Sequence, residues 1–173
     1  WLAQTGVQVV IPTLIDRGDE FSGNQRIGRF TNQPHREWLY RQAFEMGRHV
    51  IGYEVQSVLA AIDWFEHVQG LPDGKKRPVG IIGFNEGGLI SLYAAAVDTR
   101  VDSACVSGYF QSRQKLWSEP IYRNIFSLLH EFGDAEIATL VAPRQLIIEH
   151  SRVPEITGPP ATRQGRRTSA APG

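Results

Sequence analysis

The residues with the strongest chemical outline lie in VGIIGFNEGG, residues 79–88, where a largely apolar run stops at Asn85 among glycines and the helix-like LISLYAAAV follows. Three strand-turn-helix signatures compete for it. A dinucleotide fingerprint, G-x-G-x-x-G, needs a second glycine two residues after the first, and from Gly83 that position is Asn85. A phosphate loop is matched at Gly83 and Gly88, but Leu89 and Ile90 stand where the phosphate lysine and the magnesium hydroxyl belong. A nucleophile elbow, G-x-S-x-G, needs small residues two before and two after its centre, because the turn is too tight for side chains there. Gly83 and Gly87 satisfy this around Asn85. A register centred on Glu86 would put Phe84 in the crowded position, so the nucleophile position is Asn85. Asparagine tolerates the positive φ such a turn demands, yet its amide neither attacks carbonyls nor relays protons.

Glu86 opens the following helix, where its carboxylate faces the positive end of the helix dipole and its backbone N–H is placed as an oxyanion donor. The polar lip Asp16 to Asn24 follows an apolar run, and Asp16, Arg17 and Asp19 are candidates for substrate binding, with a loop-fixing ion pair as the alternative. None of His35, His49, His67, His130 and His150 forms H-E-x-x-H or another ligand spacing, so no metal site is expected, and no cofactor motif is met.

The elements that position these residues follow from periodicity. VQVVIPTLI, residues 7–15, reads as a buried strand. From about His35 to Val68 apolar residues recur at helical spacing, with Gly47 and Gly52 expected to break the run into two helices. GLPDGKKRP, residues 70–78, is a turn; residues 79–84 are a strand and Glu86 to Val97 a helix. VDSACVSG is a third strand, with Cys105 expected as a buried thiol, helical patterns follow near 121–131 and 134–141, and RQLIIEH is a fourth strand. Alternation of this kind predicts an α/β fold with a doubly wound, mostly parallel sheet, whose ligands collect beyond the carboxyl ends of the strands. Residues 1–150 form one domain on this reading. Residues 151–173, rich in Pro, Gly and Arg, read as a loop or disordered tail.

The chain has 173 residues, 42% apolar and 21% charged, the composition of one globular domain. Eighteen basic residues balance eighteen acidic ones, which gives no net field toward nucleic acid. The single cysteine excludes an internal disulfide framework, and no run reaches the length of a membrane span. WLAQTG reads as the end of a helix stopped by Gly6, so a segment upstream of Trp1 is expected, and with it the place where an export signal would lie.

Four stretches, VQVVIPTLIDRGDEFSGN, GRHVIGYEVQSVLAAIDWF, GIIGFNEGGLISLYAAA and APRQLIIEHSRVPE, together resemble the α/β-hydrolase superfamily, in particular its dienelactone hydrolase and acetyl xylan esterase-like branch. The resemblance spans residues 1 to about 155 and implies a partial α/β-hydrolase fold. It implies serine-type carboxylic ester hydrolysis, with a small-molecule ester or acylated sugar as substrate. In such relatives the elbow carries serine or cysteine, where this chain has Asn85. Their acid follows the strand that starts at the Pro-Arg pair; its position falls on Pro154, leaving Glu155 as the nearest acid and Glu149 as the runner-up. The family's histidine lies further downstream, and no histidine follows His150.

Three functional classes follow from these residues. The first is a hydrolase-like protein with a degenerate nucleophile elbow, inactive as this chain. The second is a non-catalytic small-molecule-binding or scaffold protein that keeps the pocket. The third is an enzyme of other chemistry using Glu86 or Glu155 as acid or base.

Overall fold

The computed structural model describes residues 2–67, 77–154, 161 and 165–167. The turn at 70–76, Glu155 and most of the Pro/Gly/Arg-rich stretch therefore lie outside the described residues.

The fold is α/β. Three parallel strands, β-rich in apolar residues, form its centre: Val79–Phe84, Val101–Ser107 and Gln145–Glu149, hydrogen-bonded in that order. Numbering strands in chain order after two short ones, Gly23–Asn24 (β1) and Arg29–Thr31 (β2), these are β3, β4 and β5. The short strands pair antiparallel as a ribbon, and the backbone of Arg166–Arg167 runs parallel to β2. Helices α1 (His35–Glu45), α2 (Val50–His67), α3 (Glu86–Val97), α4 (Leu128–Glu131) and α5 (Asp134–Thr139) complete the architecture.

The core lies on one side of the sheet. Leu89, Ile90, Leu92, Ala94 and Ala95 make α3 buried nearly all round, as expected of a helix between the sheet and an outer layer. It packs on β3 and β4 and against α2 and α5, with Val101, Ala104 and Val106 of β4 beneath it. Alternation sends the other residues to the opposite face, where Ile82 is 69% exposed and Phe84 and Ile147 are also open. Cys105 lies on that face in register with Ile82 and Ile147, so its thiol is half-buried rather than enclosed.

Two expectations need correction. Residues 7–15 form no ladder: Val9 and Val10 are exposed and Ile11 is 84% exposed, while Leu14 and Ile15 reach the core. β-branched composition favours a strand only where a neighbouring strand accepts its backbone bonds, and here Ile15 N donates instead to Glu54 Oε1 at 3.0 Å. The helical run does break at Gly47, which takes φ 67°, but Gly52 lies inside α2. A helical glycine costs only about 1 kcal/mol, which packing of the opposite face offsets.

His49 sits in the α1–α2 break and bonds both ways. Its Nδ1 accepts from Ile51 N at 3.1 Å, and its Nε2 faces Asn124 O at 3.1 Å, which fixes the ring as neutral with the proton on Nε2. Burial pushes its pKa below the ordinary value, the Asn124 carbonyl works the other way, and Arg36 adds to the lowering.

Two outcomes follow. Because the folded pKa of His49 is depressed, its contribution to stability is complete above the unfolded value of about 6.5 and is lost as pH falls through the folded value. Urea midpoints of the parent should therefore drop on acidification below that pH more steeply than those of His49→Asn; equal slopes would rule out this linkage. The bare sheet face should also bind a hydrophobic dye and promote concentration-dependent association. Ile82→Thr combined with Ile147→Thr should reduce both, as read by dye fluorescence and light scattering, and unchanged signals would place the sticky surface elsewhere.

Candidate functional site

The turn between β3 and α3 is built by contact rather than by hydrogen bonds alone. A Cβ on Gly83 would fall inside the carbonyl group of Gly87 and against Ser91 Oγ, so only glycine lets strand and helix approach this closely. One on Gly88 would lie 3.0 Å from Ser107 O and from Tyr109 Cβ. Between them Asn85 holds φ 53° and ψ −114°, one of two positive-φ non-glycine residues described. Its N–H continues the sheet by donating to Ser107 O at 2.9 Å, and its carbonyl accepts the first helical bond, from Leu89 N at 3.2 Å. The strand-to-helix turn is therefore sharp and strained, with an amide at its tip.

The side chains around that tip form one polar network. Asn85 is 8% exposed, and its Oδ1 accepts from Arg123 Nη2 at 2.8 Å. The buried carboxylate of Glu86 meets Arg123 Nη2 at 3.2 Å, Arg17 Nη2 at 3.0 Å and, more distantly, Arg36 Nη2 at 3.8 Å. Arg36 forms a two-pronged pair with Glu54 at 2.5 and 2.7 Å, donates to Ile15 O at 3.0 Å, and lies 4.8 Å over the Tyr122 ring. Arg17 also reaches the Tyr122 hydroxyl at 3.3 Å. Beyond Arg123, Glu119 accepts two bonds of 2.9 Å from Arg113, whose guanidinium is 4.0 Å from buried Asp134. Burial works against the charge on Arg36 and on Arg123. It is outweighed by Glu54 and Glu86 at the first and by Glu86 and Glu119 at the second, so both stay ionised more firmly than usual. Burial raises the Asp134 carboxyl, with Arg113 opposing.

The sequence-derived candidates are distributed as follows. Asn85 and Glu86 are at the elbow and Arg17 joins them, although Arg17 remains 44% exposed at its side chain. Asp16 does not join. It binds His35 Nδ1 at 2.7 Å and Gly18 N at 2.8 Å, while His35 Nε2 accepts from Phe21 N at 2.9 Å, so this dyad shapes the lip. Asp19 is buried within the lip, where its backbone carbonyl accepts from Ser22 N at 3.1 Å. Glu149 ends β5 on the open face of the sheet, where Ser107 and Ser151 bond it and hold its pKa below the ordinary value. It bonds neither Asn85 nor Glu86. Glu155 lies outside the described residues. An open depression of about 450 Å³ lies beyond the ends of β4 and β5 between Tyr109, Phe110, Gln111, His150, Ser151 and Arg152. Its lining includes neither Asn85 nor Glu86.

Sequence reading missed Arg36, Glu54, Arg113, Glu119, Tyr122 and Arg123. The signal available was the crowding of charged and aromatic residues in the aperiodic connection QSRQKLWSEPIYRN, which follows the carboxyl end of β4 on the rim where sheet ligands collect. Arg36 and Glu54 carried no such signal, since charged helix residues read as exposed.

Among proteins with curated descriptions, the chain is 28% identical over 130 residues to the Bacillus subtilis (strain 168) protein named "Putative hydrolase YtaP", covering 69% of this chain and 42% of that protein. The chain thus spans less than half the length of this relative. No family model matches, and no solved structure matches. The similarity supports a hydrolase-like relationship.

The two elbow glycines should respond oppositely to alanine. Gly83→Ala forces backbone apart and should cost about 3 kcal/mol or more. Gly87→Ala places its methyl where nothing lies within 4 Å, and should be neutral or stabilising by about 0.4–1 kcal/mol. Urea unfolding of both variants measures this; similar losses would mean that the turn is not held by the close approach at Gly83.

Proposed function

We propose that the chain carries the elbow of a hydrolase-like protein of the carboxylic ester hydrolase type, akin to acetyl esterases and dienelactone hydrolases, and that Asn85 deprives that elbow of its nucleophile. One observation carries the reading: Asn85 occupies the strained turn between Gly83 and Gly87 with its amide oxygen held by Arg123. Ester hydrolysis through an elbow requires a side chain that can form and release an acyl bond, and a base to take its proton. An amide does neither. Glu86 is the nearest carboxylate, but Arg123 and Arg17 occupy its oxygens, which opposes the alternative in which it acts as a general base. A small ester or acylated sugar remains the substrate class proposed for the site.

The test is hydrolysis of p-nitrophenyl acetate by the parent chain and by Asn85→Ala, together with labelling by a serine-directed phosphonate. Both proteins should match the buffer rate, and residue 85 should carry no label. Turnover by the parent that disappears in Asn85→Ala would overturn the reading.

A further inference from the structure

The segments that leave β4 and β5 are joined to each other where they emerge from the sheet. Gly108 N donates to Glu149 O at 2.8 Å, Ser151 N donates to the same carbonyl at 3.0 Å, and Ser107 Oγ lies 2.8 Å from Ser151 Oγ. Gly108 takes φ 64°, and a Cβ there would overlap Val153 Cγ1, so glycine is what admits Val153 against this segment. Asp134 fixes the continuation of the β4 segment, accepting from the Tyr109 hydroxyl at 3.1 Å and from Gln111 N at 3.4 Å. The open depression of about 450 Å³ between the two segments therefore has bonded walls, and its size falls within the range of about 300–1,000 Å³ usual for small-molecule sites.

The residues that line it include no acid, whereas Arg152 and His150 both do, and neither side chain has a hydrogen bond or ion pair among the described residues. The neighbouring carboxylates are engaged elsewhere: Glu149 by the Ser107 and Ser151 hydroxyls, Glu119 by Arg113 and Arg123, and Asp134 by Tyr109. We propose that this depression, separate from the elbow, binds a small monocarboxylate with a flat apolar body, the Arg152 guanidinium and an imidazole N–H of His150 holding the carboxylate while Phe110 and Val153 cover the body. The guanidinium fork matches the two oxygens of a carboxylate, and a neutral imidazole still offers one N–H. One guanidinium balances one negative charge, and Glu149, next in the chain to His150, opposes a dianion such as phosphate. A bare oxyanion would leave most of the space and its apolar wall unused. The inference does not depend on how Asn85 is read.

The experiment titrates the full ¹⁵N-labelled chain with 2-naphthoate, and separately with the neutral 2-naphthalenemethanol and with inorganic phosphate. Naphthoate should saturably shift the backbone N–H resonances of Gly108, Gln111, Ser151 and Val153 more than those of Asn85 and Glu86, and should bind about 10-fold more tightly than the alcohol. Arg152 is exposed, so Arg152→Gln removes the charge without disturbing the bonded walls. It should weaken naphthoate about 10-fold and leave the alcohol unchanged. The resonances of the parent decide the location of the site whatever the variant does. Equal affinity for naphthoate and the alcohol, phosphate binding as tightly as naphthoate, shifts centred on Asn85 and Glu86, an undiminished preference for naphthoate in Arg152→Gln, or no saturable binding of naphthoate would each overturn the proposal.

Discussion

A carboxylate placed inside a protein must be met by positive charge and hydrogen bonds, and Glu86 imposes that requirement at the first residue of α3. Arg17 answers it from the lip, Arg36 from α1 and Arg123 from the connection after β4. Because Arg36 also binds Glu54 of α2 and the Ile15 carbonyl, one buried charge sets the positions of four separate segments relative to the elbow. Removing a single partner from such an arrangement leaves an uncompensated charge, at a typical cost of about 3–5 kcal/mol. The lip makes no ladder with the three-stranded sheet, and the 113–123 connection is two short 3-10 helices, Arg113–Ser118 and Ile121–Arg123; ion pairs tie both to Glu86.

The network is built largely of arginine, and that choice has a physical reason. The planar guanidinium can bridge two acceptors at once, as Arg123 does between the Asn85 amide and the Glu86 carboxylate. It also stacks, as Arg36 does over Tyr122 and Arg113 over Tyr109. A lysine at position 123 would supply the charge but could not hold both groups in one plane. The elbow therefore depends for its orientation on a residue thirty-eight positions away in sequence.

What the sequence discloses follows the range of the interaction. β3, the turn and α3 were legible because glycine spacing and apolar runs encode local geometry, and β4 and β5 were legible for the same reason. The turn around Asn85 could be read because the close approach at Gly83, two residues before it, leaves a glycine in the sequence, whereas the expected crowding at Gly87 is not met: a Cβ there would touch nothing within 4 Å. Residues 7–15 misled because apolar composition shows a wish for burial and not the partner that would satisfy it. The arginine network was invisible because each ion pair joins distant segments, and neither Arg36 nor Glu54 differs locally from a solvated helix residue. Glu86 shows the mixed case. Its place at a helix start was evident, whereas its three guanidinium neighbours were not.

The positive φ at Asn85 has a consequence at the level of the gene. Asparagine is among the few side-chain-bearing residues that tolerate such a backbone, so the turn holds with an amide at its tip. In the genetic code, asparagine and serine codons are separated by one transition at the middle base. A single nucleotide thus lies between a turn that offers an amide and one that offers a hydroxyl at the same positive φ.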